Sequence, residues 1–170
     1  MSFHKTETAV LEAETQLSSY VGQVDIIASV QIDAEMQRIL YALATPEYME
    51  AWLRFPEAER VECQSVQRSF DKFRIDVFSS QRKKQSIHGS CLLSKPNRVT
   101  YLWDRDQMGT QSRSVVEIVI LGGPSRFKVR LKHSGLTNYD DRERHSTMWH
   151  HSLTNLRVLM ERIDITPACC

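Results

Sequence analysis

The amino-acid sequence predicts an α+β fold: a curved antiparallel sheet of about seven strands around one long C-terminal helix. Three observations carry this expectation. Trp149, Leu153, Leu156, Met160 and Ile163 recur every three or four residues, which lays an apolar stripe along one helix face. Phe127, Val129, Leu131 and His133 alternate with Arg126, Lys128, Arg130 and Lys132, a strand with one dry and one wet face. Between residues 59 and 134 the chain reads mostly as strands and turns, with one strand and two short helices ahead of them.

The elements follow in order. Residues 1–20 are polar and predict a flexible extension, in which Ala9, Val10, Leu11 and Leu17 suit a short helix or an added strand. Val24 to Ile32 is β-branched and alternating, a half-buried strand. Asp33 then stands where its carboxylate can cap a helix. Met36, Ile39, Leu40 and Leu43 give that helix its apolar face, through Ala44. Thr45 and Pro46 start a second helix, with proline at the first position, where its missing N–H costs nothing. Glu47 suits the positive helix end, Tyr48, Met49, Trp52 and Leu53 face inward, and Phe55-Pro56 ends the helix.

The first of the later strands is Arg60 to Val66. Phe70 to Phe78 sets Phe73, Ile75 and Val77 against Arg74 and Asp76, and Ser86 to Leu93 puts Ile87, Gly89, Cys91 and Leu93 on one face. After a Lys95-Pro96-Asn97 turn, Val99, Tyr101 and Trp103 alternate with Thr100, Leu102 and Asp104. Val116, Ile118 and Ile120 alternate with Val115, Glu117, Val119 and Leu121 before the Gly122-Gly123-Pro124-Ser125 turn. A polar loop is expected from Gly135 to about His145, and the long helix from there to Ile163. The domain expected from this pattern spans residues 21–164, with a tail over 165–170.

Composition narrows the function classes. A chain of 170 residues can bury roughly 70% of its unfolded surface without a metal or disulfide staple. Apolar residues make up 41% and charged residues 25%, as in ordinary globular proteins. With 22 Lys and Arg against 21 Asp and Glu, the chain lacks the basic surplus of a dedicated nucleic-acid binder. Its one dense basic run, Arg82-Lys83-Lys84, suits a solvated hairpin turn. The longest apolar run, Val115 to Leu121, is interrupted by Glu117 and far too short to span a membrane. The first seven residues have no apolar signal core, so the cytoplasm is the expected location. None of the four cysteines forms a C-x-x-C pair. Cys63 and Cys91 fall in strands, as small hydrophobes; Cys169 and Cys170 suit exposed tail thiols. A prenylation signal fails, because Pro167 stands where its cysteine belongs.

This order resembles the helix-grip fold of the START and birch-pollen-allergen superfamily, SRPBCC, and within it the activator-of-Hsp90-ATPase-like family. Three pieces carry the resemblance: Ile32-Asp33-Ala34-Glu35 leading into Tyr41-Ala42-Leu43-Ala44-Thr45-Pro46-Glu47 and Trp52, the strand Phe127 to His133, and Trp149 with Leu153 and Leu156. It covers residues 24 to 163. Met148 stands where the family commonly has glycine before the helix Trp, and Glu62-Cys63-Gln64 where it often has Gly-Gly. Members of this superfamily include ligand carriers, cyclases, hydrolases and co-chaperone domains, so the resemblance implies a pocket rather than a chemistry.

The aromatic residues are the candidates for lining that pocket, since phenol and indole rings combine apolar area with one hydrogen bond. Trp52, Tyr101, Trp103, Trp149, Leu153 and Met160 are the expected contacts with a small hydrophobic molecule, a lipid or an aromatic. His133, in register with the dry face of its strand, is the expected polar anchor. His145, His150 and His151 lack the i, i+4 spacing of a helical metal site and suit exposed or capping roles. No nucleophile motif, phosphate loop, metal site or cofactor is expected, and no catalytic residue is assigned. Glu117 faces away from the dry side of its strand. Two alternatives stand beside ligand binding: a co-chaperone-like interaction module, and a cyclase- or hydrolase-like enzyme with ionisable residues converging inside. Either a monomer or a homodimer fits the sequence.

Overall fold

The structure, a computed structural model, describes residues 24–66, 69–80, 84–107, 110–123 and 126–162. Among the described residues, seven strands and three helices follow the expected order. They are β1 (Ile26–Asp33), α1 (Met36–Ala44), α2 (Pro46–Trp52), β2 (Ala58–Val66), β3 (Ser69–Ser79), β4 (Lys84–Lys95), β5 (Arg98–Gln107), β6 (Thr110–Gly122), β7 (Arg126–Ser134) and α3 (Tyr139–Arg162). The expected N-terminal extension, the Arg82-Lys83 turn residues and the tail with Cys169 and Cys170 lie outside the described residues.

All six strand pairings are antiparallel, in the order β1-β7-β6-β5-β4-β3-β2. The sheet curls into a half-barrel. Its two edge strands are flanked by helices, α3 against β1 and α2 against β2. Inside the curve lies one hydrophobic core. Phe73, Ile75 and Val77 of β3 meet Val99, Tyr101 and Trp103 of β5, Val116, Ile118 and Ile120 of β6, and Val129 and Leu131 of β7. From α3, Met148, Trp149, Leu153, Leu156 and Met160 enter the same core. Trp149, Leu153, Leu156 and Met160 are the stripe read from the sequence, now buried with Met148 beside them; Ile163, its last expected member, lies outside the described residues.

Two details correct the expectations. Asp33 does not cap α1. The N-cap is Glu35, with no side-chain cap bond, and Asp33 instead ends β1 opposite Arg126. The Arg126 guanidinium donates to both Asp33 oxygens, at 2.9 and 3.0 Å, a forked geometry open to the carboxylate once β1 and β7 are paired. The second correction concerns α3, which begins at Tyr139, inside the stretch expected to be a polar loop. Asn138 Oδ1 accepts the backbone N–H groups of Asp140 (2.8 Å) and Asp141 (3.4 Å), and those two carboxylates sit at the positive helix end.

The Asp33–Arg126 pair makes a pH prediction. The hydrogen bond from Arg126 holds the Asp33 carboxyl below its ordinary value. A folded value below the unfolded one stabilises above the unfolded carboxylate range, and the contribution disappears as pH falls through the folded value. The pair is exposed, so the effect is small. In urea titrations, Asp33→Asn is expected to lower the midpoint at pH 7, with the gap to wild type closing in acid. A gap that persists at pH 2 contradicts the ion-pair account.

Candidate functional site

The seven side chains expected to line a pocket are all buried, none more than 2% exposed. Their polar atoms divide them into two groups. Trp52 and Tyr101 close the C-terminal end of α1, where four backbone carbonyls lack helical partners. The Trp52 indole donates to the Ala42 carbonyl at 2.9 Å, and the Tyr101 hydroxyl donates to the Leu43 carbonyl. Burial pushes the Tyr101 phenol well above its ordinary pKa, so it keeps the proton it donates. These two rings lock α1 onto α2 and the sheet, and their hydrogen-bonding atoms are occupied.

The second group lies under the N-terminal half of α3. Trp103 packs edge-on against Trp149, with ring centroids 5.5 Å apart, and tilted against Phe73 at 5.9 Å. Its far edge meets the His133 imidazole at 6.4 Å. The Trp149 indole N–H donates to His133 Nδ1 at 2.9 Å. That bond requires a lone pair on Nδ1 and so puts the imidazole proton of the neutral ring on Nε2. Nε2 then donates to Ser114 Oγ at 2.9 Å, and the Ser114 hydroxyl donates to the Trp103 carbonyl at 3.3 Å. One residue in this cluster differs from its neighbours. The Trp103 indole N–H is fully buried and has no hydrogen-bond acceptor among the described residues.

Leu153 lies one helical turn beyond Trp149 and continues the apolar wall. Met160 is buried two turns further on, where its carbonyl accepts from the Arg38 guanidinium at 3.2 Å. The structure therefore unites Trp103, His133 and Trp149 in one cluster and sets Trp52, Tyr101 and Met160 around it. Sequence reasoning missed Ser114, whose inward position follows from its even spacing with Val116 and Ile118 on β6. It also missed the burial of His145, which is 5% exposed and donates from Nδ1 to the Asp141 carbonyl at 2.7 Å; its ring lies 5.2 Å from that of His133. The neighbouring His150 and His151 are exposed.

Glu117 and His133 lie on opposite faces of the sheet, because Glu117 pairs with Lys132 and His133 with Val116. The Glu117 carboxylate takes the Arg98 guanidinium at 3.0 Å on the outer face. Glu117 and the His133 imidazole therefore do not converge for acid–base chemistry. Among the described residues, no three His, Cys, Asp or Glu side chains are grouped to hold a metal ion, and no helix is long and apolar enough to cross a membrane.

Cys63 and Cys91 are buried thiols. Burial, helped by the charges of Glu50, Glu47 and Asp76, pushes the Cys63 thiol up to about 12. The reactive thiolate is therefore scarce at neutral pH. Native protein treated with iodoacetamide at pH 8 is expected to keep Cys63 unmodified in peptide mapping, with full alkylation in urea. Rapid native labelling of Cys63 contradicts this burial.

A concavity lies on the outside, where the α2–β2 connection meets α3. It measures about 430 Å3 and is lined by Arg54, Phe55, Pro56, His151, Thr154, Asn155 and Val158. Its polar groups also serve the fold. Arg54 donates to the Leu53 carbonyl at 2.7 Å and the Ala51 carbonyl at 3.0 Å, and Asn155 Nδ2 donates to the same Ala51 oxygen at 3.0 Å. Together they close the negative end of α2.

A curled antiparallel sheet holding one long C-terminal helix, with two short helices after the first strand, is the helix-grip architecture of START-like proteins. The chain belongs to the Activator of Hsp90 ATPase homolog 1-like protein family, whose model matches residues 33–161. Solved structures share the fold at low identity. A protein from Chromobacterium violaceum is 18% identical, with a TM-score of 0.67 over 82% of this chain and 99% of its own. One from Mesorhizobium loti is 18% identical, with a TM-score of 0.62 over 84% and 100%. A START superfamily protein from Mycobacterium smegmatis is 12% identical, with a TM-score of 0.61 over 81% and 97%. No curated protein matches the chain in sequence.

Proposed function

We propose that this protein binds a small, largely apolar molecule between the concave sheet and α3. The observation that carries this reading is the Trp103 indole: a buried donor without an acceptor among the described residues, set among aromatic rings. A donor stranded in the interior costs about 1–3 kcal/mol, and native proteins rarely leave one so without a reason such as a bound water or ligand. Trp103, Trp149 and Leu153 are the proposed contacts. His133 acts by holding the Trp149 indole. Trp52 and Tyr101 fix the wall through α1, and Met160 bounds the far end.

The contact residues pack directly against one another, so binding involves a shift of α3 side chains away from β5. Burial of ligand apolar area, at roughly 25 cal/mol per Å2, offsets that opening. Native mass spectrometry of freshly purified protein tests the reading, together with the three indole N–H signals in a 15N correlation spectrum. A carried small molecule is expected, and its extraction is expected to move the Trp103 signal while leaving Trp52 in place. Protein that carries nothing, and whose Trp103 signal ignores added fatty acids and aromatics alike, refutes it.

The outer concavity favours a second reading, a protein-docking module of the co-chaperone kind. Phe55, Pro56 and Val158 give it an apolar floor, and Arg54 and His151 rim it. Capture of a chaperone ATPase that is lost in Val158→Asp, with fold and ligand binding kept, distinguishes this reading from the first.

A further inference from the structure

We infer that the bound molecule carries a neutral hydrogen-bond acceptor, a ketone, ester or ether oxygen, that takes the Trp103 indole N–H. The inference rests on the proposed binding between sheet and α3 and names the ligand chemistry for it.

The direction of the buried hydrogen bonds decides the polarity. Trp149 donates to His133, His133 donates to Ser114, and Ser114 donates to the backbone carbonyl of Trp103. The chain runs one way and ends on Trp103 itself. The indole of that same residue is a donor only, and it is where the chain leaves a hydrogen bond to be made. A ligand hydroxyl that merely donates gains nothing there. A ligand oxygen that accepts restores a bond the interior lacks.

Charge decides the rest. Arg98, Arg113, Lys128, Arg130 and Lys132 alternate with inward residues and so stand on the outer face, where Arg98 pairs with Glu117, Arg113 with Asp104 and Lys132 with Asp25. The inward side chains next to Trp103 are Phe73, Tyr101, Trp149, Ser114, whose hydroxyl donates to the Trp103 carbonyl, and the His133 ring that accepts from Trp149. A carboxylate brought there loses its hydration with no described cation to compensate. A neutral carbonyl or ether oxygen on an apolar body carries no such cost.

Three matched probes test this on the 170-residue chain: naphthalene, 2-acetylnaphthalene and 2-naphthoate, each titrated against 15N-indole-labelled protein. The ketone is expected to bind roughly tenfold or more tightly than the other two. It is also expected to move the Trp103 indole proton downfield while leaving Trp52 unmoved. Trp103→Phe is expected to abolish the preference for the ketone over naphthalene, whatever contact area both lose with the indole. If that variant does not fold, the wild-type ranking and the indole shift decide alone. Equal binding of ketone and hydrocarbon, preference for the carboxylate, or an unmoved Trp103 indole overturns the inference and leaves the binding reading standing. If none of the three binds and the purified protein carries nothing and ignores fatty acids, the binding reading falls and this inference with it; a carried molecule without such an oxygen overturns this inference alone.

Discussion

Trp149→Ala is expected to lower the unfolding free energy by about 3–5 kcal/mol, enough to threaten the fold of a domain this size. Two losses combine. The indole is fully buried and touches Trp103 and His133, so its removal forfeits apolar burial and leaves a cavity under α3. It also removes the donor that His133 Nδ1 accepts. Trp149→Phe narrows the terms, since it keeps one six-membered ring and removes the N–H together with the rest of the five-membered ring. Its expected cost is about 1–3 kcal/mol in urea titrations at unchanged slope. Ser114→Ala acts on the other nitrogen of the same imidazole. The double variant Trp149→Phe with Ser114→Ala is therefore expected to depart from additivity by about 0.5 kcal/mol or more. Additive losses show that the two bonds to the imidazole act independently, and a Trp149→Phe variant as stable as wild type shows that the Trp149–His133 bond contributes nothing to stability.

That chain also marks the boundary of what the amino-acid order discloses. The apolar stripe of α3 and the alternation in β7 are local patterns, and both elements stand where periodicity put them. The inward positions of Tyr101, Trp103, Trp149 and His133 follow from the same periods. Which polar atoms those rings engage does not follow, because each bond joins residues far apart in the chain: Tyr101 with Leu43, Trp149 with His133, Ser114 with Trp103. Asp33 shows the same effect in reverse. Locally it reads as a helix cap, but pairing of β1 with β7 brings Arg126 opposite it, and the forked ion pair prevails. The start of α3 was legible in principle. Asn138 followed by Asp140 and Asp141 is a helix-start pattern that the polarity of the segment concealed. Trp52 and Tyr101 read as pocket lining because their rings are apolar with one polar tip. Their tips instead satisfy a buried helix end, a demand visible only once α1 stops against the sheet.

Gly89→Ala is expected to cost about 1–3 kcal/mol, although alanine normally favours the folded state over glycine at a position it can adopt. Gly89 sits mid-strand in β4, opposite Phe73 of β3 and Trp103 of β5. A Cβ placed there collides with the Leu102 carbonyl oxygen and lies 2.5 Å from Phe73 Cζ. The Phe73 ring thus occupies the space a side chain at 89 would fill. From there it reaches Tyr101 and Trp103, both at 5.9 Å. The ring can turn away, but the Leu102 oxygen belongs to the backbone of the neighbouring strand and moves only if the β4–β5 ladder moves. Phe73→Ala relieves the first collision and not the second. The double variant Gly89→Ala with Phe73→Ala is therefore expected to cost less than the sum of the singles, yet more than Phe73→Ala alone. Near-ultraviolet circular dichroism gives an independent readout, because a displaced Phe73 disturbs the packing of Tyr101 and Trp103. A Gly89→Ala protein with wild-type stability and an unchanged aromatic spectrum shows that β4 has room for a methyl group. The absent side chain at 89 is then no part of how the aromatic cluster is assembled.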